Sequence, residues 1–252
     1  MKKKVSGSIV TYNNCDVIYD CIKSILEHAG DVDLTLYVVD NGSTDGTVEL
    51  VRDNFKQVKL IINDKNRGFG HGHNQILDRI ASDYHFVINP DIVLDSSIFD
   101  ELCTYLDEHS DVMMITPKVM NDDKSEQFLP KFCPSIRYVI ISKFKPFRYL
   151  RKLYTRENEN LNEPAQVEFC TGCFFGMRSA DLKRYNGFDT RYFMYCEDAD
   201  LSRRCRKEGK IIFYPHASVI HKWKRDNTRS LKGMIRFLSS LFKYFMRWGI
   251  SF

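Results

Sequence analysis

"HFVINPDIVL", residues 85–94, begins as a buried strand and then stops behaving like one. Phe86, Val87 and Ile88 form the apolar run of a strand covered on both faces. Asn89, Pro90 and Asp91 come next, and a second apolar stretch starts at Ile92. Proline withdraws a ladder donor, and a carboxylate in an apolar core is expensive unless it is paired. A plain turn accounts for three turn-forming residues in a row. It does not account for an acid closing a core strand, so the neighbouring segments decide.

Those segments alternate short apolar runs with amphipathic ones, the pattern of βαβ units around a mostly parallel sheet. "VSGSIVTY", "LTLYVVD", "VKLIIND" and "YHFVINPD" read as strands. "VIYDCIKSILEHA", "TDGTVELVRDNF" and "HGHNQILDRIAS" read as the helices between them, the first with Ile18, Ile22, Ile25 and Leu26 on one face. Each strand ends in small or polar residues: Thr11-Tyr12-Asn13, Asp40-Asn41-Gly42-Ser43, Asn66-Arg67-Gly68 and Asn89-Pro90-Asp91. Open α/β sheets bind ligands at the carboxyl ends of their strands, so the four ends predict one shared polar site. Residues 131–164 break the pattern with basic and aromatic residues and internal prolines. They read as an excursion, partly mobile, hanging over that site.

The 252 residues suffice for one large α/β domain, and 43% hydrophobic composition suffices for its core. The lysines at positions 2–4 resemble a secretory leader, but the next stretch, "VSGSIVTYNN", is too short and polar for one. No run of about 18 apolar residues reads as a membrane span. The eight cysteines are scattered and are expected as reduced thiols of a cytoplasmic protein; Cys170 and Cys173 lack a second pair at zinc spacing. The net charge of +4 is unevenly placed: from His221 onward there are eight Lys or Arg and one Asp, leaving a net −3 before it. A net acidic body without a nucleic-acid motif speaks against a nucleic-acid partner.

Several constellations carry chemistry. Asp40 can accept from a ring N–H, Asn41-Gly42 suits a tight turn, and Ser43 or Thr44 can cap the next helix. A strand–turn–helix joint explains the turn and cap; nucleotide-base recognition also explains the acid. The glycines at 68, 70 and 72 match neither a dinucleotide fingerprint nor a P-loop, although Arg67 can offer a cation. His71 and His73 read as exposed loop histidines. Glu197, Asp198 and Asp200 crowd a helix start, where the macrodipole favours acids. That suits Asp200, which can pair with Arg203 or Arg204; the adjacent Glu197 and Asp198, among apolar neighbours, suit a general base. His221 closes an apolar strand, and with Asp91, phosphate oxygens and water it makes a reasonable Mg²⁺ or Mn²⁺ site.

"SIVTYNN", "VVDNGSTDGT", "NRGFGHGHN", "NPD", "CTGCFFGMRSADLKRYNGFDTRYFMYCEDADLSRR" and "VIHKW", in this order, resemble the family 2 glycosyltransferases of the GT-A fold, and among them a bacterial rhamnosyltransferase-like branch. The likeness covers about residues 5–225 except the excursion. It implies a nucleotide-sugar donor, a divalent cation and inversion at the anomeric carbon. By resemblance, Thr11, Asn13 and Asp40 hold the nucleoside and Arg67 with Gly68 flanks it. Asp91 takes the metal-binding place of the family's Asp-x-Asp motif, with Asn89 where many relatives carry the first Asp. His221 takes the place of the late histidine ligand, and Asp198, beside Glu197, that of the catalytic base. Thr171, Gly172 and Cys173 are expected around the sugar; Tyr12, Asn41, Gly42, Ser43 and Asn74 complete the donor set.

The resemblance therefore implies an inverting hexosyltransferase moving L-rhamnose from its dTDP donor onto a lipid-linked or growing surface glycan. A UDP-hexose enzyme of the same fold and a catalytically silent nucleotide-sugar-binding protein are the alternatives. The sequence divides into a domain over 1–225 and a basic helix over 226–252. On a helical wheel Lys232, Arg236, Lys243 and Arg247 fall within roughly 60° of one another. Met234, Phe237, Leu238, Leu241, Phe242, Tyr244, Phe245 and Trp248 lie opposite. This reads as a peripheral anchor on the inner face of the cell membrane. Packing on the domain, or on a second copy in a homodimer, is the alternative.

Overall fold

A computed structural model describes residues 2–139, 141, 144–222 and 231–250. The expected boundary at 225/226 and the side chain of Lys232 lie outside the described residues. Among them nine strands form one sheet, in the order β3-β2-β1-β4-β8-β6-β9-β5, with β7 beside β9. The first half alternates as the apolar pattern requires: β1 (Lys3–Thr11), α1 (Ile18–Glu27), β2 (Val32–Asp40), α2 (Thr47–Asn54), β3 (Lys59–Ile62), α3 (Phe69–Asn74) and β4 (Tyr84–Ile88). β1 pairs in parallel with β2 and β4, and β2 with β3. After Asp91 come β5 (Ile92–Val93), α4 (Phe99–Glu108) and β6 (Val112–Met120). The excursion carries α5 (Ile136–Val139) and α6 (Tyr149–Thr155). Beyond it lie β7 (Ala165–Gln166), β8 (Phe174–Arg178), α7 (Ser179–Arg184), α8 (Glu197–Cys205), β9 (Lys210–His221) and α9 (Leu231–Trp248).

The sheet is more mixed than a run of βαβ units. β8 runs antiparallel to β4 and β6, and β9, although parallel to β6, runs antiparallel to β5 and β7. The reversals serve the site. Phe174 at the start of β8 lies opposite Ile88 at the end of β4, which sets Thr171-Gly172-Cys173 against Asn89-Pro90-Asp91. His221 at the end of β9 lies opposite Ile92, next to Asp91. Both apolar faces of the sheet are covered. The helix expected over 71–82 is shorter than its pattern: α3 stops at Asn74 and a single turn of 3₁₀ helix spans Leu77–Arg79.

β1 is a buried strand with serines at two core positions, and the sheet satisfies both. The hydroxyl of Ser8 meets His73 Nδ1 at 2.7 Å and His85 Nε2 at 2.8 Å, and Ser6 meets His85 Nδ1 at 2.7 Å. His73 is therefore not the exposed loop histidine its sequence position suggests, because α3 turns it inward onto β1. Burial pushes His85 down to about 3 and His73 well below the usual range, so both are neutral. A depressed folded-state histidine means the unfolded chain binds more protons below about 6.5. Stability is thus fully present above that pH and is lost as pH falls toward 3. Thermal melts from pH 7 to pH 4 should show a falling Tm, with a shallower slope in His85→Gln; equal slopes would contradict the buried network.

α9 divides the single apolar face expected of it into two. Leu241 and Tyr244 are buried against Phe169, Tyr192, Cys196 and Ala199, whereas Phe242 is 66% and Met246 72% exposed. Its cations face the domain: Lys243 donates to Arg191 O at 2.7 Å, and Arg236 stacks on Phe193 with its guanidinium 4.4 Å from the ring centre. Arg247 pairs with Asp189 and Asp200. Packing on the domain thus accounts for one face and leaves Met234, Leu238, Phe242 and Met246 uncovered. Among the described residues, no helix is long and apolar enough to cross a membrane.

Candidate active site

The carboxyl ends of β1, β2 and β4, the lead-in to β8, the start of α8, the end of β9 and the excursion enclose a cavity of about 1350 Å³. Thr11, Tyr12, Asn13, Asn41, Asn89, Asp91, Thr171, Gly172, Cys173, Glu197, Asp198 and His221 all line it. Asp40, Gly42, Ser43, Arg67 and Gly68 are not among the lining residues. Asn74 is turned away from it. Its amide donates to Phe188 O at 2.7 Å and accepts from Phe188 N at 2.8 Å, tying α3 to the loop after α7.

On the β1–β2 side, one carboxylate organises the turn. Asp40 Oδ2 accepts from the backbone N–H of Gly42 and of Ser43, both at 2.9 Å. Asn13, in a left-handed conformation at φ 56°, donates its N–H to Ser43 Oγ at 2.8 Å and accepts from Thr44 N at 2.9 Å. Asp40 Oδ1 is buried with no hydrogen-bond partner among the described residues, an acceptor left for a donor not yet supplied. Arg67 pairs loosely with Asp64 at 3.3 Å and remains exposed. Gly68 sits at φ +100°, and a Cβ there would run into Phe193 O, the carbonyl that accepts from Phe69 N at 3.0 Å. Glycine is required at that joint.

The acid that closes β4 has a structural partner. Asp91 Oδ1 faces His221 Nε2 at 3.2 Å. The imidazole is held by Gln127, a residue with no sequence signal pointing to it. Gln127 Nε2 donates to His221 O at 2.8 Å and to Asn121 Oδ1 at 2.9 Å, which fixes its amide and turns Oε1 to His221 Nδ1 at 3.0 Å. With Gln127 Oε1 accepting from Nδ1, the neutral ring would have Nε2 as its acceptor, directed at the Asp91 carboxylate. Two acceptors on a shared point suit a cation between them. Among the described residues no group of three or more His, Cys, Asp or Glu gathers as a metal site; Asp91 and His221 are the two residues here that could hold a cation.

Across the cavity, α8 begins after two consecutive non-glycine residues in left-handed conformation, Tyr195 at φ 73° and Cys196 at φ 66°. Strain of this kind persists where the surroundings over-determine it, as at functional sites. It presents two carboxyls with different surroundings. Asp198 accepts from Gly172 N at 2.9 Å through Oδ2 and from Ala199 N at 2.8 Å through Oδ1. Glu197 Oε2 is buried with no hydrogen-bond partner among the described residues. Burial raises Asp198 against those two N–H groups, and burial with the adjacent Asp198 charge pushes Glu197 up to about 8. Asp198, with two N–H donors, is the better placed of the two to hold the charge, and the unpartnered Glu197 to hold the proton. Unequal environments separate two carboxyls into an ionised and a neutral partner.

A raised folded-state Glu197 contributes stability that is present below its unfolded value near 4.5 and is lost as pH rises through about 8. Glu197→Gln should therefore match the wild-type Tm near pH 5 and exceed it increasingly toward pH 9. Parallel Tm curves over that range would refute a proton held on Glu197.

Asp91 and Asp198 thus open onto one cavity, and the charges of both act on the buried Cys173 that also lines it. A curled α/β sheet presenting turn-bound polar groups, an acid–imidazole pair and a buried carboxylate on one cavity defines the GT-A class of α/β domains. Residues 8–185 match the family model described as Glycosyl transferase family 2, and the chain belongs to that family. It is 31% identical over 193 residues to the rhamnosyltransferase WbbL of Escherichia coli strain K12, covering 71% of this chain and 70% of that protein. It is 26% identical over 204 residues to an N-acetylglucosaminyl-diphospho-decaprenol L-rhamnosyltransferase of Mycobacterium tuberculosis, covering 75% of this chain but just under two thirds (66%) of that protein. The fold resembles that of a mannosyltransferase from Pyrobaculum calidifontis in complex with GDP-Man and Mn²⁺, at 16% identity and a TM-score of 0.66 over 98% of this chain and 65% of the other. It also resembles GalNAc-T7 with UDP, GalNAc and Mn²⁺, at 13% identity and a TM-score of 0.70 over 97% of this chain and 48% of that one.

Proposed function

We propose that the chain is an inverting, divalent-cation-assisted glycosyltransferase that moves L-rhamnose from dTDP-rhamnose onto a lipid-linked or growing surface glycan. The observation that carries the reading is the facing of Asp91 and His221, 3.2 Å apart, in the cavity that Asp198 also lines. The unpartnered Asp40 Oδ1 supports a nucleobase N–H behind Thr11 and Asn13. Asp91 and His221 would hold the cation, Mg²⁺ or Mn²⁺; when bound it supplies positive charge to the departing diphosphate. Fold neighbours in complex with Mn²⁺ support a divalent ion of this kind. Thr171, whose Oγ1 is buried with no hydrogen-bond partner among the described residues, offers the sugar a polar contact.

Asp198 takes the proton from an acceptor hydroxyl as that oxygen attacks the anomeric carbon. The new C–O bond forms on the face opposite the bond to phosphate that breaks, so configuration inverts. Glu197, holding its own proton, leaves Asp198 as the charged member of the pair. Rhamnose as the sugar is favoured by the two rhamnosyltransferase relatives. The uncovered side of α9 supports a peripheral contact with the inner face of the membrane.

Incubating the protein with Mn²⁺ or Mg²⁺ and a panel of nucleotide sugars tests the reading. Donor turnover that is greatest with dTDP-rhamnose and is abolished by EDTA is the expected result. Greater turnover of a UDP-hexose would replace the donor, and binding without turnover of any donor would make the chain a silent binding protein.

A further inference from the structure

The segment that leads into α8, residues 191–196, is braced by α9 almost residue by residue. Lys243 Nζ donates to Arg191 O at 2.7 Å, and Ser240 Oγ donates to Met194 O at 2.8 Å. Arg236 stacks on Phe193, and Phe237 meets Tyr195 edge to face at 5.7 Å. Tyr192 and Cys196 share one buried cluster with Leu241 and Tyr244. The same segment also rests on the start of α3, where Phe193 O accepts from Phe69 N at 3.0 Å.

The bracing falls where the backbone is least favourable. Tyr195 and Cys196 are consecutive non-glycine residues in left-handed conformation, which persists only where the surroundings over-determine it. Asp198 follows directly, in the first turn of α8. Its carboxylate accepts from Gly172 N at 2.9 Å and Ala199 N at 2.8 Å, so its place depends on the direction in which α8 leaves Cys196. Ser240 and Lys243 are not among the residues that line the cavity. Both spend their donors on main-chain carbonyls of the approach to the base. Ser240 does so from a buried position, where losing the hydroxyl would leave the Met194 carbonyl without that donor.

We infer that α9 is a positioning element of the active site, with Ser240 and Lys243 as positioning residues that hold segment 191–196 in its left-handed path and so set the Asp198 carboxylate against Gly172. The inference rests on the transferase reading above for what Asp198 does, but where its carboxylate sits can be read without turnover. Displacing a positioned group by about 1 Å can cost about a hundredfold in rate, so a modest slackening of this path is expected to show in kcat.

Ser240→Ala and Lys243→Met, each assayed for turnover of dTDP-rhamnose with Mn²⁺ and for amide hydrogen exchange, test this. Each should lower kcat about tenfold while KM for the donor and dTDP affinity stay within about twofold of wild type. The Gly172 amide, which lies outside α8 and α9 and donates to Asp198 Oδ2, should exchange about tenfold faster in both variants. Ile22→Val, a substitution in the main core on α1, controls for a general loss of stability. It should leave kcat and Gly172 exchange within about twofold of wild type. Lys243 is exposed, so Lys243→Met carries the test alone if Ser240→Ala does not fold. Wild-type kcat in a folded variant, unchanged exchange at Gly172, or an equal effect of Ile22→Val would overturn the inference. A loss of dTDP affinity as large as the loss of kcat would overturn it as well, by making the segment part of the donor site. A wild type that turns over no nucleotide sugar, with Gly172 still exchanging faster in the variants, would instead remove the transferase reading and leave the positioning role of α9 standing.

Discussion

Asp198→Asn should bind dTDP and Mn²⁺ as the wild type does while its transfer rate falls by about 10²–10⁴, the range general-base catalysis supplies. The substitution keeps the size of the side chain and can still accept from Gly172 N. What it removes is the charge that takes the acceptor proton. The Asp91–His221 pair is untouched. Because burial raises Asp198 above the usual carboxylate range, the wild-type rate should also fall on acidification at a higher pH than an exposed aspartate would give. Single-turnover kinetics beside dTDP calorimetry checks both halves. A variant that transfers within about twofold of wild type would remove Asp198 from the chemistry; one that loses dTDP binding would make it a donor ligand.

The second large effect falls two residues further along α8. Asp200 is fully buried and binds three partners: Arg204 Nε at 3.0 Å, Arg247 Nη1 at 3.0 Å and Trp248 Nε1 at 2.8 Å. Two of those come from the last turn of α9, so one carboxylate latches the C-terminal helix to the helix that carries the base. Asp200→Ala leaves the Arg204 guanidinium without its counter-charge and Arg247 with Asp189 alone. Breaking a buried pair from one side costs about 3–5 kcal/mol. For a domain of this size that corresponds to a Tm drop of roughly 6–20 °C. Scanning calorimetry of wild type and variant reads it directly, and a drop under about 2 °C would contradict the latch.

The N-terminal half was legible because its elements are local. Parallel strands announce themselves as apolar runs, and β1 to β4 fall where those runs predict. The strand ends showed where a polar site had to lie, since acids and asparagines at such positions conflict with burial. The reversal of β8 and the pairing of β5 with β9 were not legible, because they depend on where a chain returns after a long excursion. Gln127 could not be read at all: nothing local distinguishes it, and its role appears only when β9 brings His221 alongside. Asn74 illustrates the opposite case. It sits inside a motif that resembles a donor-binding loop, yet its amide is consumed by Phe188. The wheel of α9 found the right residue types but averaged two apolar faces into one, since periodicity records apolar positions and not which of them meets a neighbour.

Everything proposed about chemistry depends on Asp91 and Asp198 serving a single bound donor from two sides. A crystal structure of the protein with dTDP and Mn²⁺ tests this most directly. Mn²⁺ bonded to Asp91, His221 and the diphosphate, with Asp198 across the same cavity and making no bond to the ion, is the expected result. Mn²⁺ held by Asp198, or dTDP seated outside this cavity, would contradict it.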